Sequence, residues 1–209
     1  MNKANRRGLL FVVSAPSGAG KTSLVQALLS DDSTLHASVS HTTRPKRTGE
    51  QDGVNYHFVD ADAFQAMVKA DAFLEHALVF GHQYGTAKAS VEQMLAQGQD
   101  LILEIDWQGA RQVRALFPDC CSIFILPPSR HTLAERLEAR GQDTPEVIAE
   151  RTAQAREEMA NHGDFDYLVV NDDFASALAD LRHIVAATRL ASHPQQQVLA
   201  SLLNELLGD

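Results

Sequence analysis

Long apolar runs are missing from this chain of 209 residues. No stretch reaches the ~18 consecutive apolar residues of a membrane span. The opening MNKANRR-GLLFVV carries too short an apolar segment for an export signal, which takes ~7–15 residues. Cysteine is scarce as well. Cys120 and Cys121 are adjacent, which excludes an ordinary disulfide framework and suits a reducing cytoplasm. The nine histidines follow no ligand spacing such as H-E-x-x-H, so a zinc site is not expected. Positive charge is the third deficit. Eighteen Lys and Arg against 27 Asp and Glu leave a formal charge of −9, which argues against a general nucleic-acid or anionic-membrane binder. Repeats and low-complexity segments are also absent. A cytoplasmic, soluble protein is the expectation.

What is present fits one α/β domain: 44% hydrophobic and 22% charged residues over a length that buries a good core. The chain is organised around SAPSGAGKT, Ser14 to Thr22, preceded by an apolar run and followed by an amphipathic pattern with Leu24, Val25, Leu28 and Leu29. Strand, glycine-rich turn, Lys-Thr and helix is the context of a phosphate-binding loop. Gly18 and Gly20 allow backbone conformations in which successive N–H groups point at phosphate oxygens. Lys21 adds a cation for the outer phosphates, and the Thr22 hydroxyl can ligate Mg²⁺. Ala15 stands at the first position of the usual G-x-x-x-x-G-K-[ST], held extended by Pro16. The loop predicts a nucleoside triphosphate ligand.

Beyond it, Ser38–Thr43 and Val54–Val59 read as strands around a basic turn, Arg44-Pro45-Lys46-Arg47, with Asp60 or Asp62 capping a short helix. Phe73–Phe80 and the Gly81–Gly85 segment add short strands, so an antiparallel insertion is expected over about 38–87. From Val91 the βα rhythm returns: a helix, a strand Leu101–Asp106, a helix after Gly109, and a strand Ser122–Leu126. Helices follow at Ser129–Arg140 and Pro145–Asn161, then a strand Tyr167–Val170, a helix Phe174–Ala191 and a tail helix at about 195–207. This alternation predicts a doubly wound parallel sheet. The tail places Leu199, Leu202, Leu203 and Leu206 on one side. Packing on its own core is the reading for that stripe, with a homo-oligomer interface as the alternative.

Several residues around this framework carry chemistry. Asp106 ends an apolar strand in the manner of a Walker-B carboxylate, which holds Mg²⁺ directly or through water, and Glu104 shares its face. Arg44 and Arg47, with Tyr56, can grip a phosphate bidentately. Arg136 and Arg140 lie four apart on one helix and Arg151 on the next, across a Gly141 joint, as in a closing lid. Three cation groups around one triphosphate loop point to transfer between two phosphorylated substrates. Glu75 is of interest because guanine presents N1–H and N2–H₂ side by side. One carboxylate takes both, with Ser40 and Thr86 hydroxyls near O6, whereas adenine would leave it unpaired, a discrimination of ~10⁴-fold in a buried site.

The ordered set SAPSGAGKT, SVSHTTRPKRTGE, DGVNYHFV, FLEHALVFGHQYGT, LEIDWQGA, ILPPS, RLEARGQD and VVNDD resembles the guanylate kinase family from about Gly8 to Arg189. The resemblance implies the P-loop nucleoside monophosphate kinase fold: a parallel sheet core flanked by helices (about 8–37, 88–130 and 163–192), an antiparallel GMP-binding insertion (38–87) and a helical lid (131–162). It implies transfer of the γ-phosphoryl group of ATP to GMP, with Mg²⁺, and tolerance of dGMP. Ser40, Glu75, Thr86 and Asp106 would read guanine, and Arg44, Arg47, Tyr56 and Tyr84 would hold the GMP phosphate. ATP would lie on Ala15, Pro16, Ser17, Gly18, Ala19, Gly20, Lys21 and Thr22, touched by Arg136 and Arg140, with adenine near Asn171 and Asp172. Thr22 and Asp106 would hold Mg²⁺, and Lys21, Arg44, Arg136, Arg140 and Arg151 would be catalytic. Three spellings depart from the family: Pro45 is one place early, His82-Gln83 replaces Asn-Tyr, and Glu104 replaces Asp. The alternatives are a kinase for another nucleoside monophosphate, which Glu75 opposes, and an inactive protein-binding module, which the intact Lys21-Thr22 opposes. A GTPase switch lacks its N-K-x-D motif.

Overall fold

The computed structural model describes residues 6–139 and 145–208. Its main sheet has five parallel strands. β1 (Leu10–Ser14) is central, with β7 (Asp100–Glu104) and β2 (Leu35–Ala37) on one side and β8 (Cys121–Leu126) and β9 (Tyr167–Val170) on the other. Every residue of β1 is buried, as a strand covered on both faces requires. Its side chains alternate between two cores. Phe11 and Val13 pack with Leu24, Val25 and Leu28 of α1 (Lys21–Asp31) and Leu181 and Val185 of α7 (Phe174–Leu190). Leu10 and Val12 pack with Val91 and Leu95 of α3 (Lys88–Ala96) and Val113 of α4 (Trp107–Leu116). The strand order reverses beside β1, so a crevice opens at its carboxyl end, where the phosphate loop begins.

The opposite end of the sheet is tied by one buried acid. Asp100, 2% exposed at the start of β7, accepts from the Leu9 backbone N–H at 2.8 Å and from Arg6 and Arg189 at 2.8 Å. Arg189 also pairs with Asp32 after α1. One carboxylate thus joins the first strand, β7 and the last turn of α7.

A second sheet, ordered β4-β3-β6-β5, is made by β3 (His41–Thr42), β4 (His57–Phe58), β5 (Phe73–Val79) and β6 (His82–Ala87), with α2 (Ala61–Lys69) between β4 and β5. The two strands expected at 38–43 and 54–59 shrink to two residues each. Polar side chains take over the intervening backbone, with Asn55 Oδ1 accepting from the Gln51 N–H at 2.8 Å and Asp52 Oδ1 accepting from the Phe58 N–H at 2.9 Å. β4 runs parallel to β3, so the sheet is mixed rather than purely antiparallel, the long loop between them giving room for the return. Asp60, not Asp62, caps α2 through the Ala63 N–H.

Other boundaries shift for local reasons. α4 begins at Trp107 rather than after Gly109, because the Asp106 carboxylate caps it through the Gly109 N–H at 2.9 Å. β2 is a strand that the sequence reading did not separate from the helix before it, being only three residues long. The helical pair is α5 (Arg130–Ala139) and α6 (Pro145–Ala160), sharing a small core of Leu133, Leu137 and Ala155. The expected Gly141-Gln142-Asp143 joint and Arg140 lie outside the described residues. The tail is two helices, α8 (Ser192–Val198) and α9 (Ala200–Leu207), not one. Leu199, Leu202 and Leu203 of the stripe are half-buried, while Leu206 and the neighbouring Leu207 face solvent. Among the described residues no helix is long and apolar enough to cross a membrane.

Candidate active site

The phosphate loop owes its shape to two glycines with positive φ, Gly18 at 91° and Gly20 at 92°. Both also allow close approach. A Cβ on Gly18 would stand 3.0 Å from Leu133 of α5, and one on Gly20 would stand 2.3 Å from the Asn171 amide. Asn171, at the end of β9, is 5% exposed and donates from Nδ2 to the Ala19 carbonyl at 2.7 Å. It braces the loop from behind and does not line the cleft, while Asp172 beside it is exposed. Lys21 Nζ donates to the Ile105 carbonyl at 3.2 Å, which draws the loop against the end of β7.

The cleft of about 250 Å³ in front of this loop is lined by Ala15, Pro16, Ser17, Gly18, Gly20, Lys21 and Thr22 on one wall. Ser40, Tyr56, Glu75, Tyr84, Glu104 and Asp106 line the same cleft. Thr22, Glu104 and Asp106 bring side-chain oxygens of the kind a hard cation prefers to this lining, although among the described residues no group of three or more His, Cys, Asp or Glu is placed to hold a metal ion by itself. Asp106 Oδ1 is held by its own helix cap, leaving Oδ2 with only a 3.3 Å contact to Gln108. Burial raises the Asp106 carboxyl above its ordinary range, with the Gly109 N–H and Lys21 opposing.

Glu75 reaches the cleft through a β-bulge. Phe73 faces Ala87, yet Glu75 faces Thr86, so one extra residue is inserted and Phe73, Leu74 and Glu75 are all buried. Glu75 is 3% exposed and accepts a 2.6 Å hydrogen bond from Thr86 Oγ1, which lies 3.1 Å from Ser40 Oγ. Burial pushes its carboxyl up to about 7, with the Asp106 charge adding and Thr86 and Lys21 opposing. The structure therefore brings Ser40, Glu75 and Thr86 together, with Thr86 set behind the carboxylate.

The cations divide into three settings. Arg44, 9% exposed, pairs with Glu50 at 2.6 Å and stacks 5.5 Å from the Tyr56 ring centroid. Burial works against its charge, but the Glu50 bond prevails and raises its pKa. Arg47 is exposed, its backbone N–H bonded to the other Glu50 oxygen at 2.8 Å. Arg136 of α5 donates from Nη2 to the Asn171 carbonyl at 3.0 Å, and its buried Nη1 has no hydrogen-bond partner among the described residues. Arg151 of α6 lies over the Phe80 ring, 5.0 Å from the centroid.

Sequence reasoning missed three participants. Glu158 of α6 accepts from the Ser17 N–H at 3.3 Å, and burial holds its carboxyl at about 7. Its signal was present, since 151, 155 and 158 follow i, i+4, i+7 on one helix face. Glu50, the partner of Arg44, sits in an irregular loop with no such periodicity. Phe80 and Gly81 form a two-residue turn with φ of 48° and 76°, where Asn-Gly would be usual, so the anomaly was visible only as a misplaced aromatic.

A phosphate loop at the switch point of a parallel sheet, facing a second sheet and a helical pair across one cleft, defines a kinase of the P-loop class. The guanylate kinase family model matches residues 7–188. Guanylate kinase of Alkalilimnicola ehrlichii is 61% identical over 201 residues, 96% of this chain and 99% of that one. The Escherichia coli K12 guanylate kinase is 54% identical over 205 residues, 97% of this chain and 99% of that one. The crystal structure of guanylate kinase from Anaplasma phagocytophilum superposes with a TM-score of 0.75 at 29% identity, covering 95% of this chain and 97% of that one. The chain belongs to the guanylate kinase family.

Proposed function

We propose that this enzyme transfers the γ-phosphoryl group of ATP to GMP, giving ADP and GDP, and accepts dGMP more weakly. The observation that carries the reading is the buried Glu75, backed by Thr86, which together with Ser40 lines the same cleft as the phosphate loop. An ionised Glu75 accepts both guanine donors, N1–H and N2–H₂, with Thr86 holding the carboxylate in place and the Ser40 hydroxyl available near O6. Adenine offers no such pair, and its binding would strand a buried carboxylate.

The acceptor phosphate is already ionised, so no general base is required. Alignment of two anions and stabilisation of the transferring charge are the whole task. Arg44, Arg47, Tyr56 and Tyr84 hold the acceptor phosphate, for which Arg44 exchanges Glu50. The residues Ala15 to Thr22 cradle the donor phosphates, and Lys21 lies between donor and acceptor. The unpaired, buried Nη1 of Arg136 supports a contact with the donor phosphates once they are bound, and Arg151 joins it from α6, while Arg140 lies outside the described residues. Thr22, Asp106 through its less engaged oxygen, and Glu104 would hold Mg²⁺, which would supply neutralisation of phosphate charge. We assign the insertion to residues 38–87 and the lid to 131–162, the two bodies that exclude water on closing. The buried, free cysteines Cys120 and Cys121 support a reducing cytoplasm, where the reaction recycles purine nucleotides.

A coupled ADP-release assay with Mg-ATP and a panel of GMP, dGMP, AMP, CMP, UMP and dTMP tests the reading. Turnover confined to GMP and dGMP is expected. Turnover on another base would overturn the pocket assignment, and binding of GMP without turnover would move the chain to the protein-binding class.

A further inference from the structure

The tip of the β5–β6 hairpin combines three features that turn formation does not account for. Val79 pairs with His82, leaving Phe80 and Gly81 as a two-residue turn with positive φ at both positions. Such a turn favours Asn or Gly at its first position, and a bulky aromatic there is strained. Phe80 is also 41% exposed, so burial in the core does not compensate. Its ring instead reaches α6, where the Arg151 guanidinium stacks on it, 5.0 Å from the centroid. Phe80 lines the cleft in front of the phosphate loop and also the adjoining hollow against Trp107 and Glu157.

We propose that Phe80 is a positioning residue: its ring aims the Arg151 guanidinium at the transferring phosphoryl group and couples closure of the acceptor sheet to closure of the lid. This rests on the kinase reading above and on Arg151 acting at the phosphates. A cation held over an aromatic face is confined to a narrow range of positions relative to the ring, so the contact fixes where the guanidinium stands beside the cleft that Phe80 lines. β5 carries Glu75 five residues before Phe80, so seating of the base at one end of the strand is transmitted along a rigid hairpin to the arginine at the other. The strain at Phe80 is a local cost retained for that alignment.

The test compares Phe80→Asn, Phe80→Leu and Phe80→Trp in the full chain. Phe80→Asn suits the turn and is expected to melt at or above the wild-type temperature, yet to lose kcat about tenfold with KM for GMP nearly unchanged. Phe80→Leu, apolar but without a ring, is expected to lose kcat similarly, and Phe80→Trp to keep most of it. Combined with Arg151→Lys, the Phe80→Leu loss should be much smaller than the product of the single losses. In the free protein, the ring-current shift of the Arg151 side-chain protons should vanish in Phe80→Leu. A wild-type kcat in Phe80→Asn or Phe80→Leu, or losses that multiply, would overturn the proposal while leaving the GMP kinase reading intact. An inactive wild type that still shows the ring-current shift would instead overturn the kinase reading, and the positioning role with it.

Discussion

The Glu75 carboxylate rests directly on Gly109 of α4: a Cβ at that glycine would stand 2.5 Å from Glu75 Oε2 and 3.3 Å from Asp106 Oδ1. Two carboxylates of the cleft therefore share one glycine, whose N–H caps the helix through Asp106. Gly109→Ala should improve helix propensity by ~1 kcal/mol but force Glu75 out of place, for a net destabilisation of about 1–3 kcal/mol. We expect kcat/KM for GMP to fall by about tenfold or more alongside a lower melting temperature. A variant that melts higher and turns over normally would show that the cleft tolerates the methyl group.

Glu75 itself links pH to both stability and acceptor binding. Its carboxyl sits at about 7, against an ordinary 4.5, so between those values the unfolded chain releases a proton that the folded chain keeps. Stability of the ligand-free protein should therefore fall as pH rises through this window, by at most on the order of 3 kcal/mol. Glu75→Gln should remove that slope and melt higher than wild type at pH 8. It should also cut kcat/KM for GMP by about 10²-fold or more, because an amide cannot accept from both guanine donors. If Glu75 reads guanine as proposed, the base requires the ionised form, and wild-type KM for GMP is expected to fall from pH 6 to 7 and level off above. A GMP preference unchanged in Glu75→Gln would remove this residue from base recognition.

Glu158 occupies the N–H of Ser17, in a loop built for phosphate. With its carboxyl at about 7, it is largely ionised at pH 8 and opposes an incoming triphosphate. Calorimetric titration should show ATP binding to Glu158→Gln about fivefold more tightly than to wild type at pH 8, with the gap closing at pH 6. Equal affinities at both values would mean that the carboxylate swings clear at no cost.

Asp100 anchors the far end of β7, and its two guanidinium partners lose their acceptor in Asp100→Ala. The expected loss is about 3–5 kcal/mol, which for a chain of this length lowers the melting temperature by roughly 10 °C. Because Asp100 begins the strand whose carboxyl end carries the catalytic cleft, kcat measured well below the melt should stay near wild type. A melting shift under about 2 °C would show that the arginines find other partners.

Much of this protein is legible along the chain, because much of it is local. A run of β-branched and aliphatic residues, a Gly-x-Gly-Lys-Thr turn and an i, i+4 stripe are contiguous signals, and they fix β1, the loop and α1 without reference to the rest. The strands β8 and β9, the long helices and the resemblance to one family follow from the same kind of signal. The weaker elements failed for the same reason. β2, β3 and β4 are two or three residues long, held by partners distant in sequence, and the tail stripe of leucines could not say which surface it would meet.

The cleft shows the limit more sharply. The sequence by itself determined which groups were on hand: a phosphate loop, two acids at the end of an apolar strand, a glutamate among leucines, and arginines on turns and helices. Tertiary structure alone decided their states. The bulge at Leu74 turned Glu75 inward and raised its carboxyl, the Ala19 carbonyl captured Asn171, and α6 brought Glu158 to Ser17 and Arg151 to Phe80. Each of these depends on burial or on contacts between residues far apart in the chain, and desolvation and packing are properties of the assembled surroundings that no single stretch of sequence contains.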